Sequence, residues 1–357
     1  MPNELARYRI LGHTGLRVAP ICLGGLSFGS SWGVGADIEE SHRIIDLYVD
    51  RGGNFIDTAS VYNGGESEEI LGSWLKGHHS RVVLSSKYSM ADNAMSPNEC
   101  GNSRKSMIFS VEKSLRRLRT DYLDILYVHM WDNTTAADEV LRGLQDLIAQ
   151  GKILYSGLSD TPAWQASRMQ AIAETRGWSR FAAYQLEYSL VERTAEREVI
   201  PMCQAMSFAM TGWGLLGGGM LTGAYSALEL RARMSSAATL DTAELQIQRR
   251  VSAKSLIVLE TLEEIASELG RSPAQVAIAW AMRAQQDLIP LVGGRTAEQV
   301  AGNLDALCLS LDVQHFKRLA EASAVELGFP HEMLSSDYVK KALSGGFDVP
   351  GLGFTSE

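Results

Sequence analysis

The chain has little cysteine: Cys22, Cys100, Cys203 and Cys308 are the only 4 in 357 residues, and no C-x-x-C pair occurs. Isolated thiols at this spacing exclude a zinc knuckle or a dithiol redox motif and read as reduced, mostly packed side chains. A basic excess is also missing, because 33 Lys+Arg stand against 42 Asp+Glu for a net charge of −9. A protein that grips nucleic-acid phosphates or an anionic membrane surface needs the opposite balance, so neither partner is expected. The opening MPNELARYRILG has no apolar core of the kind an export signal carries, and the expected location is the cytoplasm. Residues 199–228 carry no charge, a length above the roughly 20 residues that span a bilayer. Six glycines and Pro201 break this stretch, so it reads as a strand followed by a loop whose amides approach a ligand. His78-His79 reads as a solvated pair, and no metal-ligand constellation is expected.

What is present is a repeat of short aliphatic runs, each followed by apolar residues at helical spacing. The expected strands are Ala19–Leu23, Asn54–Asp57, Val82–Ser86, Leu123–Val128, Ile153–Leu158, Phe181–Leu186, Ser207–Thr211 and Ile289–Val292. Expected helices cover Glu39–Arg51, Glu66–Lys76, Ser103–Arg119, Thr135–Gln150, Pro162–Arg176, Ala195–Ala205, Ser272–Gln286 and Thr296–Leu307. An additional helix is expected at Ala243–Leu269, after a mobile polar loop at Ala224–Thr242, and a short one near Val313–Ala324 before the tail. Thr161 before Pro162 and Ser272 before Pro273 look like helix N-caps, and Gly151 and Gly177 like C-terminal caps. Strand then helix, repeated, implies parallel pairing, and eight such units favour a closed (β/α)₈ TIM barrel, although an open doubly wound sheet has the same periodicity. No linker divides the chain. We therefore expect one α/β domain with a core over residues 11–307, an N-terminal extension, a long loop after strand seven and a C-terminal extension over 308–357.

In such a barrel the reactive groups end the strands. Asp57, Lys87 and His129 each end an apolar run, and Tyr62 follows Asp57 in the next loop. A carboxylate, an ammonium, a phenol and an imidazole at one mouth form a proton-donating device. Lys87, held by Asp57, is expected to lower the pKa of Tyr62 toward working pH, with His129 orienting a substrate carbonyl.

These residues resemble the aldo-keto reductase family. Its Asp-Thr-Ala-x-x-Tyr motif appears as Asp57-Thr58-Ala59-Ser60-Val61-Tyr62, followed by Gly64-Gly65-Glu66-Ser67-Glu68, and its lysine as Ser85-Ser86-Lys87. Arg117-Leu118-Arg119-Thr120-Asp121-Tyr122-Leu123-Asp124 leads to His129 as the family's pattern does. The resemblance implies a barrel that binds a nicotinamide cofactor and reduces aldehydes or ketones, with Asp57, Tyr62, Lys87 and His129 as catalytic residues and Tyr62 as proton donor.

The resemblance further implies that Ser159, Asp160 and Gln185 bind the carboxamide and that Trp213 stacks on the nicotinamide ring. Asp160 stands where the family commonly has Asn, keeping the acceptor and losing the amide donor. Gly212-x-Gly214-x-x-Gly217 fits the G-x-G-x-x-G pattern but follows the seventh strand and opens no helix, so it is not a Rossmann fingerprint. Gly214, Leu216, Gly219 and Leu221 are instead the candidates for a loop folded over the pyrophosphate. Gly293, Arg295, Gln299 and Asn303 match the adenosine end, and Arg295, a planar cation with several donors, suits a 2′-phosphate. NADP(H) is thus expected in preference to NAD(H). Phe28, Trp32, Tyr88 and Trp131 suggest an aromatic substrate pocket, which residues 90–102 and the tail around Phe329 and Phe347 are placed to close. The partner is a small carbonyl or alcohol. Alcohol or sugar oxidation on the same residues and a cofactor-binding regulatory subunit are the competing readings, and no long basic arm supports the latter.

Overall fold

In the computed structural model, eight short, apolar strands pair in parallel in chain order, the last closing on the first to make a barrel. The structure describes residues 4–91, 94–227, 229–230, 247 and 249–349. The barrel strands are β3 (Cys22–Gly24), β4 (Phe55–Asp57), β5 (Val83–Tyr88), β6 (Leu123–Val128), β7 (Ile153–Ser159), β8 (Ala183–Glu187), β9 (Ala209–Trp213) and β10 (Leu288–Val292). Each overlaps an expected run.

Successive side chains of a strand face opposite ways, and this alternation builds two apolar regions. Cys22, Phe55, Val83, Ile125, Tyr127, Ala183 and Ile289 fill the barrel. Leu23, Ile56, Leu84, Leu126, Leu158, Tyr184 and Met210 belong to the shell packed beneath the helices. The floor is a hairpin the sequence reading did not find, β1 (Arg9–Ile10) paired antiparallel with β2 (Arg17–Val18). Its Leu11 and Val18 complete the interior cluster. Gly12, with φ +54°, passes so close to the barrel floor that an added Cβ would lie 2.4 Å from the Ala182 carbonyl oxygen.

The shell helices are α1 (Ile38–Asp50), α2 (Glu66–Leu75), α3 (Arg104–Leu118), α4 (Ala137–Ala149), α5 (Ala163–Arg176), α6 (Val199–Met206), α7 (Ala253–Leu269), α8 (Pro273–Ala284) and α9 (Ala297–Leu304). Beyond them lie α10 (Val313–Ala322), α11 (His331–Ser335) and α12 (Asp337–Ser344). Ser272 caps α8 in a reciprocal box with Gln275, Pro273 occupying the first turn, as the sequence suggests. The other proposed cap is different. Thr161 Oγ1 donates to the carbonyl two residues back, Ser159 O, at 2.9 Å, and α5 begins after Pro162 with no side-chain cap. The expected helix at Ala195–Ala205 is broken into a 3-10 turn at Thr194–Glu196 and α6. Most of the expected loop 224–242, and the start of the helix expected from Ala243, lie outside the described residues. Among the described residues no helix is long and apolar enough to cross a membrane, and no group of three or more His, Cys, Asp or Glu is placed to hold a metal ion.

Candidate active site

The inward-facing positions change character at the carboxyl ends of the strands. Asp57 on β4, Ser85 and Lys87 on β5 and Gln185 on β8 replace the aliphatic lining with a polar layer. Lys87 is 0% exposed and Asp57 1%. An ammonium buried to this degree is tolerated only when its protons all find acceptors. Its three donors reach Asp57 Oδ2 in a short ion pair, the Thr58 carbonyl oxygen at 2.9 Å and Tyr62 OH at 3.0 Å. Asp57 Oδ1 accepts from Ser85 Oγ at 2.6 Å and from Gln185 Nε2, reaching over from β8, at 3.3 Å. Ser85 carried no expectation from sequence, yet it lies two residues before Lys87 on an alternating strand and so shares its face.

An ammonium has no lone pair, so Tyr62 accepts from Lys87 and its own hydroxyl proton remains for another acceptor. Burial raises the phenol above its ordinary value, and the pull of Lys87 in the opposite direction does not overcome it. The expected lowering is therefore not met, because desolvation of a phenolate outweighs one adjacent cation. Burial alone would favour loss of the Lys87 proton, but Asp57 and then Tyr62 outweigh it and lift the ammonium above its usual range. His129, just after β6, lies edge-on to Tyr62 with ring centroids 5.8 Å apart. Burial, reinforced by the Lys87 charge, holds the imidazole down to about 3. At neutral pH it is uncharged.

The turn bearing Tyr62 is tied to the loop after β3. Asn63, with φ 49°, donates from Nδ2 to the carbonyls of Leu26 at 3.1 Å and Phe28 at 3.0 Å, and its Oδ1 accepts from the Trp32 amide at 3.1 Å. Glu66 Oε2 accepts from the Ser30 amide at 2.9 Å and the Ser31 amide at 3.0 Å. Trp32 is thereby presented at the surface, 45% exposed. Trp131, in the loop after β6, is partly buried against the shell. Phe28 and Tyr88, grouped with them from sequence, are fully buried in the shell core. Tyr88 neighbours Lys87 on one strand and so faces the other way, where its hydroxyl donates to Asn102 O at 3.4 Å.

The residues matched to cofactor contacts follow one another around the remaining mouth. Ser159 ends β7 and pairs in register with Gln185 on β8, which also pairs with β9 where Trp213 is the last residue. Asp160 stands at φ 37°, and burial lifts its carboxyl to about 6, with Trp213 pulling the other way and Glu187 adding to the rise. Beyond Trp213, Gly214 (φ 74°), Gly218 (φ 69°) and Gly219 (φ 105°) turn the backbone through conformations that favour glycine. Leu216 precedes the 3-10 turn Gly217–Thr222, whose Leu221 is buried. After β10, Gly293 accepts from Asn303 Nδ2 at 3.2 Å, and Gln299 Oε1 accepts from the Arg295 amide at 2.9 Å. Arg295 is exposed just ahead of α9. This donor set, amide-rich glycine turns with an indole at one end and a cation at the other, fits an extended dinucleotide.

Eight parallel strands close into a barrel with a buried Asp–Lys pair touching a phenol at their carboxyl ends. The chain belongs to the aldo/keto reductase family, whose sequence pattern matches residues 20–324. It is 38% identical over 371 aligned positions to an aryl-alcohol dehydrogenase [NADP(+)] of Phanerodontia chrysosporium, covering 97% of this chain and 94% of the relative. It is 36% identical to norsolorinic acid reductase of Aspergillus flavus, covering 93% of this chain and 85% of that one. Aldo-keto reductase ausK of Aspergillus calidoustus is 33% identical, with coverage of 94% and 87%.

Proposed function

We propose that the protein is an NADP-dependent reductase of aromatic aldehydes or ketones, with Tyr62 as the proton donor. The observation that carries the assignment is the bond from Lys87 to Tyr62 OH at 3.0 Å, which occupies the phenol's lone pair and leaves its proton for a substrate oxygen. His129 does not compete for this role. With burial and the Lys87 charge holding its pKa down to about 3, the imidazole is neutral at pH 7. The neutral ring instead orients the carbonyl. Lys87 keeps its proton and offsets negative charge developing on the Tyr62 oxygen as its proton leaves.

The bound nicotinamide supplies the hydride. Ser159, Asp160 and Gln185 hold its carboxamide, Trp213 supports the ring, and Gly214, Leu216, Gly219 and Leu221 form the pyrophosphate loop. Gly293, Gln299 and Asn303 take the adenosine end, with Arg295 at a 2′-phosphate. The NADP(+) dependence in the name of the Phanerodontia relative supports this choice of cofactor. Trp32 and Trp131 are the substrate-side aromatics, and relatives named for aryl alcohols and norsolorinic acid support an aromatic substrate. The whole chain reads as one such domain, 11–307 forming its core.

Consumption of NADPH or NADH, followed by the absorbance of the reduced nicotinamide, with a panel of aryl and alkyl carbonyls, and formation from the matching alcohols, tests the proposal. Faster turnover of NADPH with aryl aldehydes supports it; no turnover with any carbonyl, despite cofactor binding, contradicts it.

A further inference from the structure

The segments Gly64 to Glu68 and Arg117 to Asp124 carry much of the family likeness but have no part in the proton-donor contacts above. They meet behind Tyr62. Glu68, in the first turn of α2, is fully buried. Its Oε1 accepts from Ser86 Oγ at 2.7 Å, and Oε2 accepts from Arg117 Nη1 at 3.2 Å. Arg117, at the end of α3, has further donors to place. Nη1 reaches the Ser60 carbonyl at 2.9 Å and Nη2 the Gly64 carbonyl at 3.0 Å.

Ser60 and Gly64 stand two residues before and two after Tyr62. The guanidinium lies flat against Gly65, where an added Cβ would come within 2.0 Å of Arg117 Cζ. The second glycine of the motif is therefore the space the arginine occupies. On the other side, Ser86 precedes Lys87, and the Ser60 amide donates to Lys87 O at 3.1 Å. One ion pair, its carboxylate fully buried, is thus bonded to residues that flank both partners of the Lys87–Tyr62 contact.

We propose that Arg117, anchored by Glu68, is a positioning residue for the proton donor, holding the Ser60–Gly65 turn so that Tyr62 OH stays on Lys87 Nζ. This rests on the reading of Tyr62 as proton donor. A planar fork is what the site uses: three acceptors on two segments lie within reach of one guanidinium, whereas an ammonium presents a single nitrogen.

Arg117→Lys keeps the charge facing Glu68 and loses the fork. With NADPH and the aldehyde the wild-type protein reduces fastest, kcat is expected to fall roughly ten- to a hundred-fold, the scale of a misplaced reacting group. KM and the NADPH dissociation constant stay near wild type. In the cofactor-free protein, with tyrosine labelled at 13Cζ and Tyr62 assigned by its loss in Tyr62→Phe, the phenol titrates higher as the Lys87 contact loosens. In a Tyr62→Phe background, Arg117→Lys has no further effect on the residual rate, because the two act through one group.

Multiplying effects in that double variant, or an unchanged kcat and unchanged Tyr62 titration in Arg117→Lys, overturn the proposal while leaving Tyr62 as donor. Full turnover by Tyr62→Phe alone overturns both. Glu68→Gln, which keeps one acceptor oxygen and replaces the other with an NH2 donor, is the second variant should Arg117→Lys not fold; it is expected to show a loss in the same direction and the same absence of a further effect on Tyr62→Phe.

Discussion

Lys87 has three protons and three oxygens around it, and the identity of the third, Tyr62 OH, is what carries the proposal that a buried ion pair here serves a proton donor. The same reasoning applies at Asp160. Its carboxyl, lifted to about 6 by burial, is ionised above that pH and neutral below it. Oxidised nicotinamide carries a positive charge that the reduced ring lacks, so the ionised form favours NADP⁺. The ratio of NADP⁺ to NADPH affinity is expected to fall as pH drops from 7.5 to 5, and Asp160→Asn should abolish that dependence; titration calorimetry across this range reads it. Arg295→Ala should weaken NADPH binding about ten- to a hundred-fold, the worth of charge-assisted hydrogen bonds. NADH binding should change little, and the NADPH effect should shrink at high salt. Equal losses for both cofactors would assign Arg295 to the adenine or to the fold.

At the scale of elements, the loops after β3 and β4 work as one unit, because Asn63 and Glu66 on one hold backbone groups of the other. Glu66→Ala removes the acceptor of the Ser30 and Ser31 amides without touching Tyr62. We expect KM for an aryl aldehyde to rise several-fold as Trp32 loses its support, with kcat and the NADPH dissociation constant close to wild type. The strands were legible because each is a short apolar run bounded by turns, and the strand-end chemistry because Asp57, Lys87 and His129 interrupt those runs. The floor hairpin was not legible: two-residue strands carry too few side chains to show alternation. Alternation does separate Tyr88 from Lys87, since neighbours on a strand face opposite ways. Phe28 gave no such signal, its burial depending on the fold of the loop after β3.

Across the whole molecule, a net charge of −9 opposes the approach of a polyanionic cofactor, and affinity must come from local groups. Ligand bound only by the folded state stabilises it, by about 2.7 kcal/mol at a hundred times the dissociation constant. Equal concentrations of NADPH and NADH should therefore raise the melting temperature unequally, NADPH by a few degrees more. Arg295→Ala should remove most of that difference. The barrel itself should be insensitive to this change, because the Arg295 side chain is exposed and belongs to neither apolar cluster.

The most direct test of the account is the turnover of Tyr62→Phe. The variant keeps the ring against His129 and removes the one hydroxyl bonded to Lys87. Steady-state reduction of an aryl aldehyde with NADPH should fall by about two to four orders of magnitude, the contribution of a positioned general acid, while fluorescence quenching by NADPH through Trp213 persists. Turnover within a few-fold of wild type would contradict it.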